Sequence, residues 1–308
     1  MNFATLQGLA IPEGVVTQIA DASGRVLWAL SGGKVILEVE KITSDTYAGE
    51  TTYTGEQFIL LDIYPKTNGT VKVTYGGLTK TISDTSGAAE PNAQQVFFGT
   101  FNGVSDSVTT PASGELTIEG AYSNFAVGTY QSGSKTTNKG YCSCITNVLE
   151  WGNIENIANN AFRDCTALTL SELPSGITSI GNYAFYDCYE LTLSSLPEGV
   201  TSVGDYAFYQ ENFTDAGYDF FETMTLPRTL TSIGGRAFSG TIATGAFSRW
   251  NNFRLLATTP PTGASVMFGG AVTFNSSYKS IIVPAGCGEA YKAAEDWSDY
   301  ANYIVEAS

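Results

Sequence analysis

Four acids lie close together in one stretch of the chain: Glu211, Asp215, Asp219 and Glu222. Glycoside hydrolysis needs a carboxylate pair across a cleft, one group as acid and the other as base or nucleophile. Nothing in the spacing of these four specifies a pair, and no EF-type pattern for calcium is present. Cysteine offers a second constellation. Cys142, Cys165 and Cys188 are 23 residues apart, and Cys142-Ser143-Cys144 is a C-x-C. These thiols form either a ladder of buried small side chains or a disulfide or metal site. C-x-C alone is a weak signal and five cysteines leave one odd, so the ladder is favoured. There is no histidine. The commonest general base, the Ser-His and Cys-His nucleophile pairs and imidazole ligands are therefore all missing. The expectation is no catalytic residue, no cofactor and no metal.

The cysteine spacing belongs to a longer pattern. Ile180-Gly181-Asn182-Tyr183-Ala184-Phe185 returns as Val203-Gly204-Asp205-Tyr206-Ala207-Phe208. Ile157, Ile180, Val203 and Ile233 follow one another at spacings of 23, 23 and 30. Phe162, Phe185, Phe208 and Phe238 keep the same series, and Pro174, Pro197 and Pro227 share its last two spacings. Ile145, Leu168 and Leu191 each follow a periodic cysteine by three, so the register reaches back to about Tyr141. A period of this length means units that stack and share a core, because one unit cannot bury its own apolar face.

The phrase I-G-x-x-A-F-x-x-C-x-x-L, followed by L-P and an apolar-Thr-Ser-Ile run, resembles the BspA-type leucine-rich repeat of bacterial surface and phage proteins. The resemblance covers residues 141–240 and implies a solenoid, with a short strand in each repeat and a turn from which Ala-Phe enters the core. Residues 241–308 are similar to the closing segment of that family. Ile281-Ile282-Val283-Pro284 reads as a last strand. Gly288 to Trp297 reads as a helix with Ala290, Ala294 and Trp297 on one face.

The third repeat is seven residues too long between Phe208 and Pro227. Insertions in repeat proteins map to loops, often on the binding face. This one carries Tyr209, Phe213, Tyr218, Phe220 and Phe221, rigid aromatics suited to glycan stacking or protein recognition, or else folded back into the core. They are the candidate ligand contacts.

Two regions precede the repeats. Residues 33–126 read as a small antiparallel β-sandwich, Ig-like in its many short strands. Val71 to Tyr75 and Leu78 to Ile82 alternate around Gly76-Gly77, a hairpin signal. Val35–Val39, Phe58–Ile63, Gln95–Phe98 and Glu115–Ile118 supply further strands. Residues 1–31 read as a separate hairpin, Val15–Ile19 against Arg25–Trp28 around Asp21-Ala22-Ser23-Gly24. Two strands alone are marginal in water, so Trp28 and Leu30 need cover from the sandwich or from another protein. D-x-S-G-x-V-L-W near Met1 is similar to N-terminal segments of phage virion and tail proteins. That makes Val26, Leu27 and Trp28 the candidate particle contacts.

Composition narrows the partners. The 308 residues carry a net charge of -15 and no basic cluster, which disfavours nucleic acid. No apolar run approaches a membrane span. MNFATLQGLAIPEGVVTQ lacks a basic n-region and an apolar h-region, so no secretory signal peptide is expected and the thiols are expected to be reduced. The whole reads as mainly β: N-terminal hairpin, sandwich, solenoid, helical C-terminal cap. The expected function is a virion-associated adhesion protein of a phage or prophage that attaches to other virion proteins through residues 1–31. The repeats would bind a host surface glycan or protein, and the protein would be a homo-oligomer. The alternatives are a bacterial cell-surface adhesin and a glycan hydrolase.

Overall fold

The computed structural model describes residues 18–20, 26–29, 33–39, 46–47, 50–51, 58–84, 93–101, 104–105, 113–127, 144–211, 221–242, 245–247, 250–263, 266–268 and 280–308. The chain is mainly β with few helices. β1 (Gln18–Ala20) and β2 (Val26–Ala29) pair antiparallel, as the sequence predicts for the first segment. β3 (Val35–Val39) begins a larger unit; β4 (Thr46–Tyr47) and β5 (Glu50–Thr51), next in the chain, pair only with each other among the described residues. The larger unit continues through β6 (Phe58–Pro65), β7 (Thr70–Tyr75), β8 (Leu78–Ser83), β9 (Gln94–Phe101), β10 (Val104–Ser105), β11 (Gly114–Gly120), β12 (Tyr122–Ala126) and β13 (Ile145–Trp151).

These strands make two antiparallel sheets, ordered β10-β9-β6-β12 and β13-β3-β11-β7-β8. Alternation sets which side chains go inside. In β7, Val71, Val73 and Tyr75 are buried while Thr70 and Lys72 face out. β6 turns Ile59, Leu61 and Ile63 inward, and Tyr75 of one sheet meets Phe98 of the other with ring centroids 5.7 Å apart. The predicted hairpin closes at Gly76 and Gly77, whose φ values of 58° and 80° favour residues without a Cβ. At the outer edge, Lys80 folds inward to donate to the Phe97 carbonyl and lies over the Phe97 and Phe98 rings. An inward charge of this kind protects a free strand edge from further pairing.

Beyond β13 the chain builds two parallel ladders, the second of them beginning only at the third repeat. The first holds β14 (Asn156–Ile157), β15 (Ser179–Ile180), β16 (Ser202–Val203), then β18 (Ser232–Ile233) and β22 (Thr262–Gly263). The second holds β17 (Phe221–Leu226), β21 (Trp250–Leu255), β23 (Ser280–Val283) and β24 (Ile304–Glu306). β19 (Gly240–Ile242) and β20 (Gly245–Phe247) form a separate hairpin between them. Strands of only two residues cannot hold themselves together, and the first ladder is braced by its threonines. Thr178, Thr201, Thr231 and Thr262 each donate both the amide and the hydroxyl to the coil before, at 2.7–3.1 Å. Ile157, Ile180, Val203 and Ile233 form the buried column that their period predicts, each 2 % exposed.

The structure differs from the sequence reading in three places. Ile145–Trp151 falls in the repeat register, yet it is an edge strand of the antiparallel sheet, paired to β3. The ladders also run past residue 240. A fifth phenylalanine, Phe268, lies 30 residues after Phe238 and joins the column. Its turn reads Val266-Met267-Phe268, and Met267 in the place of alanine hides it. Finally, the C-terminal helix is shorter than predicted. α1 spans Gly288–Ala293, the backbone extends at Ala294, and a 3-10 helix follows over Glu295–Tyr303. The break changes the buried face: Tyr291 is fully buried and Ala290 is exposed. The larger apolar surface of an aromatic ring makes it the better side chain to bury.

Candidate functional site

The turn that carries Ala-Phe is the most repeated piece of geometry. The residue two before the phenylalanine is left-handed in each of the five described turns: Asn160, Tyr183, Tyr206, Arg236 and Val266 have φ between 55° and 59°. Such a conformation is uncommon outside glycine and unfavourable for a β-branched side chain such as Val266. Packing stabilises it here. Ala161, Ala184, Ala207 and Ala237 are at most 1 % exposed, and the phenylalanines behind them stack nearly parallel. Phe162–Phe185, Phe185–Phe208 and Phe208–Phe238 have centroids 5.4, 5.2 and 5.2 Å apart. Coils approach so closely that a Cβ on Gly181 would lie 2.6 Å from the Asn159 amide nitrogen. An exposed ladder runs alongside: Asn159 Oδ1 accepts from the Asn182 amide, Asn182 Oδ1 from Asp205, and Asp205 Oδ1 from Gly235, at 2.6–2.8 Å.

On the outer side of the same turns stands a block of tyrosines. Tyr183 stacks on Tyr206 at 5.0 Å and Tyr186 on Tyr209 at 5.4 Å. The Arg163 guanidinium covers the open side of Tyr183 and Tyr186 at 4.9 and 4.7 Å, and Arg236 lies over Tyr206 at 5.9 Å. Ring faces are thus taken up within the block. A sugar stacks on a face, so the block offers a ligand hydroxyls and ring edges only. Tyr209, a candidate from the sequence, is 5 % exposed inside it.

Glu211 closes the block and marks where the insertion leaves. Its carboxylate accepts from the Tyr186 hydroxyl at 2.7 Å, its carbonyl from the Tyr189 hydroxyl at 2.7 Å, and its amide donates to Asp187 Oδ1 at 2.5 Å. Burial, then the Asp187 and Glu211 charges, push the Tyr186 hydroxyl far above its ordinary pKa. It therefore stays a donor. Asp187 is itself fully buried with φ of 56°. Neighbouring Gln210 is 4 % exposed and donates to the Cys188 carbonyl at 3.3 Å.

Three long connections follow an Ala-Phe type turn and precede a strand of the second ladder. They run from Glu211 to β17, from Ser239 to β21 with the β19–β20 hairpin within, and from Phe268 to β23. Of the aromatics proposed from sequence, Phe213, Tyr218 and Phe220 lie outside the described residues. Phe221 opens β17 and pairs with Trp250. Val26, Leu27 and Trp28 lie in β2, with Trp28 opposite Ile19. Asp215 and Asp219 are outside the described residues. Glu222 is in β17.

The thiols follow the ladder reading as far as they are described. Cys165 and Cys188 form no disulfide and are fully buried, and Cys188 Sγ donates to the Phe162 carbonyl at 3.0 Å. Cys142 lies outside the described residues; Cys144 is buried and forms no disulfide. Among the described residues, no three His, Cys, Asp or Glu side chains gather as for a metal ion. No helix among them is long and apolar enough to cross a membrane.

Residues 137–253 match the family described as the BspA type leucine rich repeat region, in six copies. No curated protein matches the chain. Repeats of this type suggest a surface adhesion-type protein and are generally non-enzymatic.

Proposed function

We propose that this chain is a non-enzymatic adhesion protein of a phage or prophage particle. It is held to other virion proteins by residues 1–31 and binds a glycan or protein of the host surface through its repeats. The observation that carries the binding role is that the bonded successive turns ending at Glu211, Ser239 and Phe268 are each followed by a long connection before the next strand, two of these connections lying beyond the insertion first singled out. On a rigid repeat scaffold such loops meet a partner at small conformational cost, and their aromatics supply the kind of side chain on which binding energy concentrates. The parallel ladders support a solenoid, and the two facing antiparallel sheets an Ig-like sandwich. The particle, rather than a bacterial cell wall, is favoured by the Asp21-Ala-Ser-Gly-Arg-Val-Leu-Trp28 phrase on the β1–β2 hairpin.

The two ends are testable apart. Deleting residues 1–31 is expected to abolish incorporation into particles and to leave binding of the purified chain to host cells intact. Replacing Tyr218, Phe220 and Phe221 by serine is expected to do the reverse, with circular dichroism and unfolding midpoint confirming the fold. Normal host-cell binding by a folded triple variant would move the binding surface away from this insertion. Normal incorporation of the truncated chain would move the attachment away from residues 1–31, and absence of the full-length chain from particles would remove the virion reading.

A further inference from the structure

A stack of repeats has two open ends, and each leaves apolar rings without a neighbour. At the C-terminal end the cover is evident. Phe268, last in the phenylalanine column, meets Trp297 at 5.7 Å and Tyr300 at 5.6 Å, and its amide donates to the Tyr300 hydroxyl. At the N-terminal end Phe162 is the first ring of the column among the described residues. It is nevertheless fully buried.

The two-sheet unit provides that cover by three routes. Phe125 of β12 and Trp151 of β13 each meet the Phe162 ring edge-on at 5.7 Å. The end of β12 bonds the first coil directly: Val127 donates its amide to the Ala161 carbonyl, and Asn124 its side-chain amide to the Asn156 carbonyl, both at 2.8 Å. The third route is β13. Its register with β3 skips Thr146, and the Thr146 carbonyl accepts both the amide and the hydroxyl of Thr169 at 2.9 and 3.0 Å. One strand is thus bonded to the antiparallel sheet and to the repeats at once.

We propose that the two-sheet unit is the N-terminal cap of the repeat stack, and that sheets and repeats fold as one cooperative body rather than as two domains on a linker. Losing the sheets would expose Phe162 and strand the first coil's carbonyls, so the repeats depend on them. This inference stands whether or not the protein is an adhesin.

Hydrogen exchange read by mass spectrometry on the full chain tests it. Val73→Ala empties part of the sheet core in β7, three strands away from β13 in the sheet order. It is expected to speed the slowest-exchanging amides of β7 and β11 by about tenfold or more. The slowest amides of the repeats, among them Phe185 and Phe208, are expected to speed by the same factor. Ile118→Val makes the same test more gently if Val73→Ala does not fold. Wild-type protection in the repeats, or a loss well short of that in β7 and β11, overturns the proposal.

Discussion

The phenylalanine is the residue on which the repeat turns. Phe185 is 1 % exposed and lies between two parallel rings, so removing it opens a cavity that neither neighbour can fill without losing its own stack. Phe185→Ala is expected to cost about 3–5 kcal/mol, read from the shift of a urea unfolding midpoint. Cysteine gives a second expectation at this scale. Cys144, Cys165 and Cys188 are fully buried and Cys287 is partly exposed. Under native conditions a thiol reagent is expected to modify Cys287 first and to reach the other three only on unfolding. Rapid labelling of Cys165 or Cys188 would contradict the ladder. The period made both columns legible, because identical spacing forces identical environments. The tyrosine block was not legible in the same way. Tyr209 reads as an exposed aromatic in sequence, and only the stacking of successive turns shows its faces occupied.

Among the elements, the C-terminal closure depends on a single carboxylate. Glu306 of β24 accepts from the Gly286 and Gly288 amides at 2.9 and 2.7 Å, which ties the last strand to the start of α1. These two bonds hold its pKa below the ordinary 4.5. A carboxylate with a lowered folded-state pKa stabilises the cap above its unfolded-state value and loses that contribution as pH falls through the folded one. The Gly286 and Gly288 amides are therefore expected to gain exchange rate, beyond the intrinsic change, as the pH drops below that range. Glu306→Gln is expected to remove this acid dependence; an unchanged profile would show that the clamp is not responsible. Sequence alone foresaw a closing strand and helix, with Ala290 and Ala294 inward. The extended backbone at Ala294 overrode the periodicity, since Trp297 and Tyr291 both reach the core only if the helix stops there. Phe268 was hidden for a different reason: its turn keeps the left-handed geometry at Val266 but replaces the alanine that announces it.

Across the whole molecule, the hairpin at Gly76-Gly77 was visible as alternation and β3, β6, β9 and β11 as strand-like runs, whereas β10 and β12 carry too short or too polar a pattern to stand out. The bonding of β13 to both sheet and repeat was not, because no local pattern encodes which strand edges meet. The parallel ladders have a further consequence. Neighbouring strands lie about 4.8 Å apart, so each coil advances the chain by one such step and leaves both caps unaltered. Duplicating residues 181–203 in place is expected to lengthen the particle by about 5 Å in small-angle scattering. The extra coil should not lower the thermal midpoint, and a fall would show that the caps sense repeat number. Near-identical repeats also recombine readily as genes. The distance between the first strand and the last cap can then vary among descendants in whole steps, like the rungs of a ladder cut to different heights, while the fittings at either end stay the same.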